Sequence, residues 1–170
     1  MKTKDLPYLP EFFDRYINLV PEELDLLDAL ESFKTVFDDL EDIIIPYENF
    51  RYEEGKWTPK DIIQHIIDTE RILSYRALAF SRGDINVLPG FDEERYARNT
   101  TAANRTVSDL LKEFKIVRSA TIQLFKNMTD TMLLGEGICF NQKITSLALG
   151  FVIIGHPLHH INTLKERYFV

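Results

Sequence analysis

Four histidines are the side chains of this sequence best suited to chemistry: His65, His156, His159 and His160. Three of them fall in the run Gly155-His156-Pro157-Leu158-His159-His160. Helical residues four apart share a face, with Cβ atoms about 5–6 Å apart, so His156 and His160 can converge on one cation. His156 and His159 can also converge, and spacing does not choose between the two pairs. His65 lies in Asp61-Ile62-Ile63-Gln64-His65-Ile66-Ile67-Asp68, toward the apolar side of a helical repeat. Alone it reads as a core histidine satisfied by one hydrogen bond. Combined with the later pair it makes a three-histidine site with open coordination positions, a pattern closer to catalytic than to structural zinc. A divalent ion held that way acidifies water or polarises an oxygen, and it can equally bind a thiolate.

Competing chemistries lack their residues. There is no His-Glu-x-x-His, and no histidine has a Glu three positions before it, which argues against metzincin-like and di-iron carboxylate sites. No Gly-rich loop is present to cradle phosphate. The single cysteine, Cys139, excludes an intramolecular disulfide and fits a reducing compartment. In its apolar Gly-Ile-Cys-Phe setting it reads as a small buried side chain, because nothing beside it in sequence lowers its pKa. Asp68 and Glu70 either accept hydrogen bonds that orient the metal ligands or simply solvate a helix face. Arg71, Arg76, Arg82 and Arg95 read as solvated or structural, with a carboxylate-bearing cofactor as their alternative partner.

The elements that must position these groups follow from composition and periodicity. With 170 residues, 45% of them hydrophobic, the chain is expected to form one domain spanning 1–170. Folding at this size buries roughly 70% of the unfolded surface. Such a core needs no metal to hold it, so a bound ion would serve chemistry. A net charge of −7 disfavours a phosphate-binding surface and hence nucleic acid as a partner. Pro7, Pro10, Glu11 and Asp14 interrupt the start of the chain, leaving no apolar core for a signal peptide. The most apolar stretch, Ser146 to Ile154, is too short to span a bilayer. The expectation is a cytoplasmic protein without a membrane association.

Four segments carry helical periodicity. Leu26, Leu30, Phe33, Phe37, Leu40 and Ile44 form one stripe, predicting a first helix from near Pro21 to a stop at Pro46. The second starts with Thr58 as N-cap and Pro59 at its first position, Trp57 and Ile62 being placed as a hydrophobic staple, and closes at Gly83. A connector from Asp84 to Arg105 follows, unusually long for a compact domain. Its Pro89-Gly90 pair suits the centre of a type II turn, and Asp92 can cap a short helix from Glu93 to Arg98. The third helix runs from a Thr106 cap to near Asn127. After a loop at Gly135-Glu136-Gly137, the fourth spans about Ser146 to Arg167, kinked at Pro157. A short buried strand over Phe151–Ile154 is its alternative. Four such helices predict an all-α bundle with its site between facing helices.

Several of these segments together resemble the DinB-like superfamily of four-helix metal-binding proteins. They are Trp57-Thr58-Pro59-Lys60-Asp61 with His65-Ile66-Ile67-Asp68-Thr69-Glu70-Arg71, Tyr75-Arg76-Ala77-Leu78, Ala79-Phe80-Ser81-Arg82-Gly83-Asp84, Leu88-Pro89-Gly90-Phe91-Asp92-Glu93 and Gly155-His156-Pro157-Leu158-His159-His160 through Lys165-Glu166-Arg167-Tyr168. The resemblance implies an all-α four-helix bundle of the DinB-like type, with a long connection between helices two and three. It also implies a divalent metal, zinc or nickel, held by His65, His156 and His160, with His159 beside the site. The activities it implies are a low-molecular-weight-thiol S-transferase or a metal-dependent hydrolase acting on a small molecule, in a homodimer. The alternative is a noncatalytic metal-binding or stress-response module.

Overall fold

The computed structural model describes residues 1–169. Short helices α1 (Asp14–Ile17), α2 (Leu26–Ser32) and α3 (Glu41–Ile44) precede the long helix α4 (Pro59–Ser81). Next come α5 (Glu93–Arg98), α6 (Val107–Lys126) and α7 (Asp130–Leu133), and a hairpin of β1 (Glu136–Cys139) and β2 (Gln142–Thr145) leads into α8 (Ser146–Arg167). Helix α4 packs against both α6 and α8, and the α2–α3 segment completes a four-helix bundle. Among the described residues no helix is long and apolar enough to cross a membrane.

The boundaries of α4 and α6 come from local chemistry. Thr58 Oγ1 accepts from the Asp61 amide at 3.1 Å, and the Asp61 carboxylate accepts from the Thr58 amide at 2.9 Å. That reciprocal box satisfies two groups at the helix start while Pro59 has no amide to satisfy. At the other end Gly83 takes φ +77°, a conformation without penalty only for glycine. Thr106 caps α6 through the Asp109 amide at 3.1 Å, and Asp92 caps α5 through the Arg95 amide at 2.9 Å.

The predicted first helix is not continuous. It breaks into α2, 3₁₀ turns at Phe33–Thr35 and Asp38–Leu40, and α3. Part of the reason is tertiary: the Phe33 carbonyl accepts from Arg118 Nη1 at 3.4 Å. The apolar stripe survives the break, since Leu26, Leu30, Phe37 and Ile44 are all buried. The Pro89-Gly90 type II turn is also absent, because Gly90 lacks the positive φ that such a turn requires. Glycine there leaves room for the Phe140 ring, whose Cδ2 a Cβ would meet at 2.9 Å. The β1–β2 hairpin replaces part of the predicted loop. Its tip, Phe140-Asn141, has φ of 51° and 58°, as in a type I′ turn, without the glycine that usually announces one.

Helix α8 runs unbroken through Pro157; the strand alternative does not form. Proline removes the amide that would meet the Ile153 carbonyl, but Arg118 Nη2 donates to that carbonyl at 3.0 Å. Arg118 is fully buried and is held by Glu70, itself 2% exposed, through bonds of 2.8 and 3.0 Å. A charged side chain from α6 thus fills the gap that proline opens in α8. Two residues earlier, a Cβ on Gly155 would lie 1.9 Å from the Tyr16 carbonyl oxygen. Glycine there lets α1 cross close to the imidazoles of α8.

Candidate metal centre

The antiparallel α4 and α8 bring three of the four histidines together at one level of the bundle. His65 Nε2 and His160 Nε2 each lie 3.1 Å from His156 Nε2. One ligand atom from each of the three rings lies within 4.8 Å of the others. An Nε2 atom offers either one hydrogen or one lone pair, so His156 cannot be matched to both neighbours by hydrogen bonds alone. Metal–nitrogen bonds of ~2.0–2.1 Å set ligand nitrogens roughly 3–3.4 Å apart, which is the spacing on either side of His156. The donor set therefore fits a divalent metal ion.

Electrostatics favours neutral rings, the form that ligates metals. Burial pushes His65 down to about 4. Burial, with the neighbouring His65 and His159, pushes His160 down to about 3. His156 is held well below its ordinary value, by burial first and then by His160, His65 and His159. The Trp57 ring lies 4.8 Å from that of His65, and the Tyr16 ring meets His156 edge-on at 5.3 Å. The Tyr168 hydroxyl donates to the Trp57 carbonyl at 2.6 Å, tying the end of the chain to this wall.

His159 is half-buried beside the group, its ring 5.4 Å from Tyr16 and 5.2 Å from His160. The i,i+4 pair is therefore the one that converges with His65. Neither carboxylate near His65 in sequence joins the centre. Glu70 is committed to Arg118, and Asp68 accepts from Gln64 Nε2 at 3.0 Å. The long connector does reach the site: Trp57 Nε1 donates to Glu94 at 3.3 Å, and Phe91 and Glu93 line a cavity that ends on His156.

That cavity is partly open to solvent, has an accessible volume of about 40 Å³, and has Phe12, Phe13, Tyr16, Leu73, Phe140 and Val152 as its apolar walls. Thr69 and Arg76 line it too. Both were legible as candidates, because they stand four and eleven residues after His65 and so share its helix face. A second cavity, with Tyr52, Lys56, Trp57, Glu94 and Thr163 around it, opens on His159 and His160. Cys139 is fully buried. Arg76 beside it favours the thiolate, but burial outweighs this and raises the thiol, so it remains a small core side chain.

The sequence profile of the DinB superfamily matches residues 48–164. No curated protein matches the chain. Among solved structures, the chain is similar to YfiT from Bacillus subtilis, described as a probable metal-dependent hydrolase with an unusual four-helix bundle topology. The two are 17% identical with a TM-score of 0.63, over 92% of this chain and 87% of YfiT. At that identity the likeness concerns the fold.

Proposed function

Because this chain belongs to the DinB superfamily and three imidazoles of its bundle, two buried and one partly buried, converge, we propose that it is a metal-dependent enzyme acting on a small molecule. In this reading His65, His156 and His160 hold one divalent ion, zinc or nickel. Hydrolysis is the reaction favoured, in line with the description of the structurally similar YfiT. The observation that carries the proposal is the convergence of the three imidazole nitrogens within 4.8 Å.

When bound, the ion supplies Lewis acidity, lowering the pKa of a water or thiol and polarising an oxygen of the substrate. The remaining chemistry belongs to the chain. The depressed pKa values of His65, His156 and His160 keep lone pairs free at neutral pH. Trp57 and Tyr16 fix two of the ring planes by contact. The apolar cavity beside His156 excludes bulk water from the substrate's body. Glu93, at the cavity's edge, has its carboxyl raised by partial desolvation and then by Glu94. Imidazoles suit zinc and nickel alike, and the same three ligands serve thiol transfer.

Elemental analysis of protein purified without a histidine tag tests the proposal. One equivalent of zinc or nickel per chain is expected in wild type and in His159→Ala, and loss of that equivalent in His65→Ala and His160→Ala. Wild-type protein should then hydrolyse members of an ester and amide panel, with chelation abolishing turnover. Failure to bind metal from replete medium would overturn the reading. Turnover only with an added thiol and an electrophilic acceptor would replace hydrolysis by S-transfer.

A further inference from the structure

The cavity that ends on His156 contains a buried cation for which the protein supplies no anion. Three cationic side chains are buried among the described residues: Lys60, Arg76 and Arg118. Arg118 pairs with Glu70, and Lys60 lies 3.7 Å from Glu48. Arg76 is 4% exposed, yet its hydrogen-bond partners are neutral: Nη2 donates to the Pro89 carbonyl at 2.7 Å, and the guanidinium also bonds the Cys139 thiol. No described carboxylate pairs with it. The neighbouring Cys139 does not neutralise it either, because that thiol is held protonated by burial. A guanidinium removed from water ordinarily needs a charged partner, and its planar fork matches a carboxylate.

A second buried polar group points to the same space. Thr69 is 6% exposed, lines the cavity, and its Oγ1 is the one buried side-chain N or O among the described residues that lacks a hydrogen-bond partner. On α4 the order is His65, Thr69, Arg76, so the centre, the orphan hydroxyl and the unpaired cation share one helix face. Eleven residues separate the two ends, an axial distance of ~16 Å, shortened by the reach of both side chains. The walls show the backbone strain often found at functional sites. Phe12 and Phe140, with rings 5.1 Å apart, have φ of 72° and 51°, a region that bulky residues rarely adopt.

We infer that this cavity binds a small carboxylate with an apolar, aromatic-compatible body, its carboxylate on Arg76 and its other end directed at His156. The inference rests on the proposed metal centre only for the fate of that far end; the binding arm stands without metal. Glu93 lies at the exposed edge of the cavity. Its negative charge would disfavour an anionic group at the mouth, which sets the direction in which the ligand enters.

Calorimetry on metal-free full-length protein tests this with ω-phenylalkanoates of increasing chain length and their neutral primary amides. At least one acid should bind more tightly than its amide by roughly tenfold or more. Arg76→Met should remove that preference, Arg76→Lys should restore part of it, and Thr69→Val should weaken acid and amide together. The preference should persist in His65→Ala, which separates it from metal coordination. No acid–amide preference anywhere in the panel, or a preference unchanged in Arg76→Met, would overturn the inference. Either result leaves the elemental analysis of the centre untouched, so the two proposals fail separately.

Discussion

Helix α4 presents two polar faces that obey different rules. On one, Glu70 meets Arg118, whose remaining donors reach the Ile153 and Phe33 carbonyls. Every charge there has an opposite charge, and the carbonyl orphaned by Pro157 has a donor. Roughly a third of a turn away, the other face carries His65, Thr69 and Arg76. The His65 imidazole faces those of His156 and His160 on α8, the Thr69 hydroxyl has no partner and the Arg76 guanidinium has no anion. A closed network of this kind holds a fold together. An open set of groups costs stability unless something binds it, and that cost is the mark of a site.

The largest way to break the contrast is Arg118→Met, which strands the Glu70 carboxylate and the Ile153 carbonyl in the core. Urea unfolding should show a loss of about 3–5 kcal/mol, as when one partner of a buried pair is removed. Adding Pro157→Ala should recover about 1 kcal/mol, since the new amide can meet the Ile153 carbonyl. Strict additivity of the two substitutions would contradict the role assigned to Arg118.

Acid probes the open face. The folded-state values of about 4 for His65 and about 3 for His160 lie below the ordinary 6.5 of an unfolded histidine. Their contribution to stability is complete above pH 6.5 and is lost as pH falls toward those values, because the unfolded chain then binds protons that the folded chain refuses. Each group adds a slope of up to about 1.4 kcal/mol per pH unit in that window. In chelator, the urea midpoint should fall between pH 6.5 and 5, and His65→Leu should flatten the decline. An unchanged slope in that variant would remove His65 from the account.

The smallest effect is expected at the other arginine. Arg76→Met in ligand-free protein should change stability by less than about 1 kcal/mol, because relief of a desolvated charge offsets the donor lost by Pro89. A loss as large as that of Arg118→Met would make the two faces alike.

Much of the architecture could be read from local chemistry. Thr58, Asp92 and Thr106 each need only the next three residues to cap a helix, so the starts of α4, α5 and α6 were visible. The i,i+4 spacing of His156 and His160 was visible for the same reason, although the choice against His159 required the partner helix. The first helix misled because its apolar stripe persists through a backbone that Arg118 helps interrupt. The hairpin was invisible because its turn is made by Phe140-Asn141 rather than by glycine.

By itself, then, the sequence determined the helices with strong caps, the family and the residues able to bind a metal, since these depend on neighbours within one or two turns. Only the tertiary structure decided that Pro157 is tolerated, that Glu70 serves the core rather than the histidines, and that Arg76 is the buried cation left without an anion. Each of those depends on which groups from distant elements come within hydrogen-bonding reach, and in a desolvated interior that proximity decides whether a charge stabilises the fold or waits for a ligand.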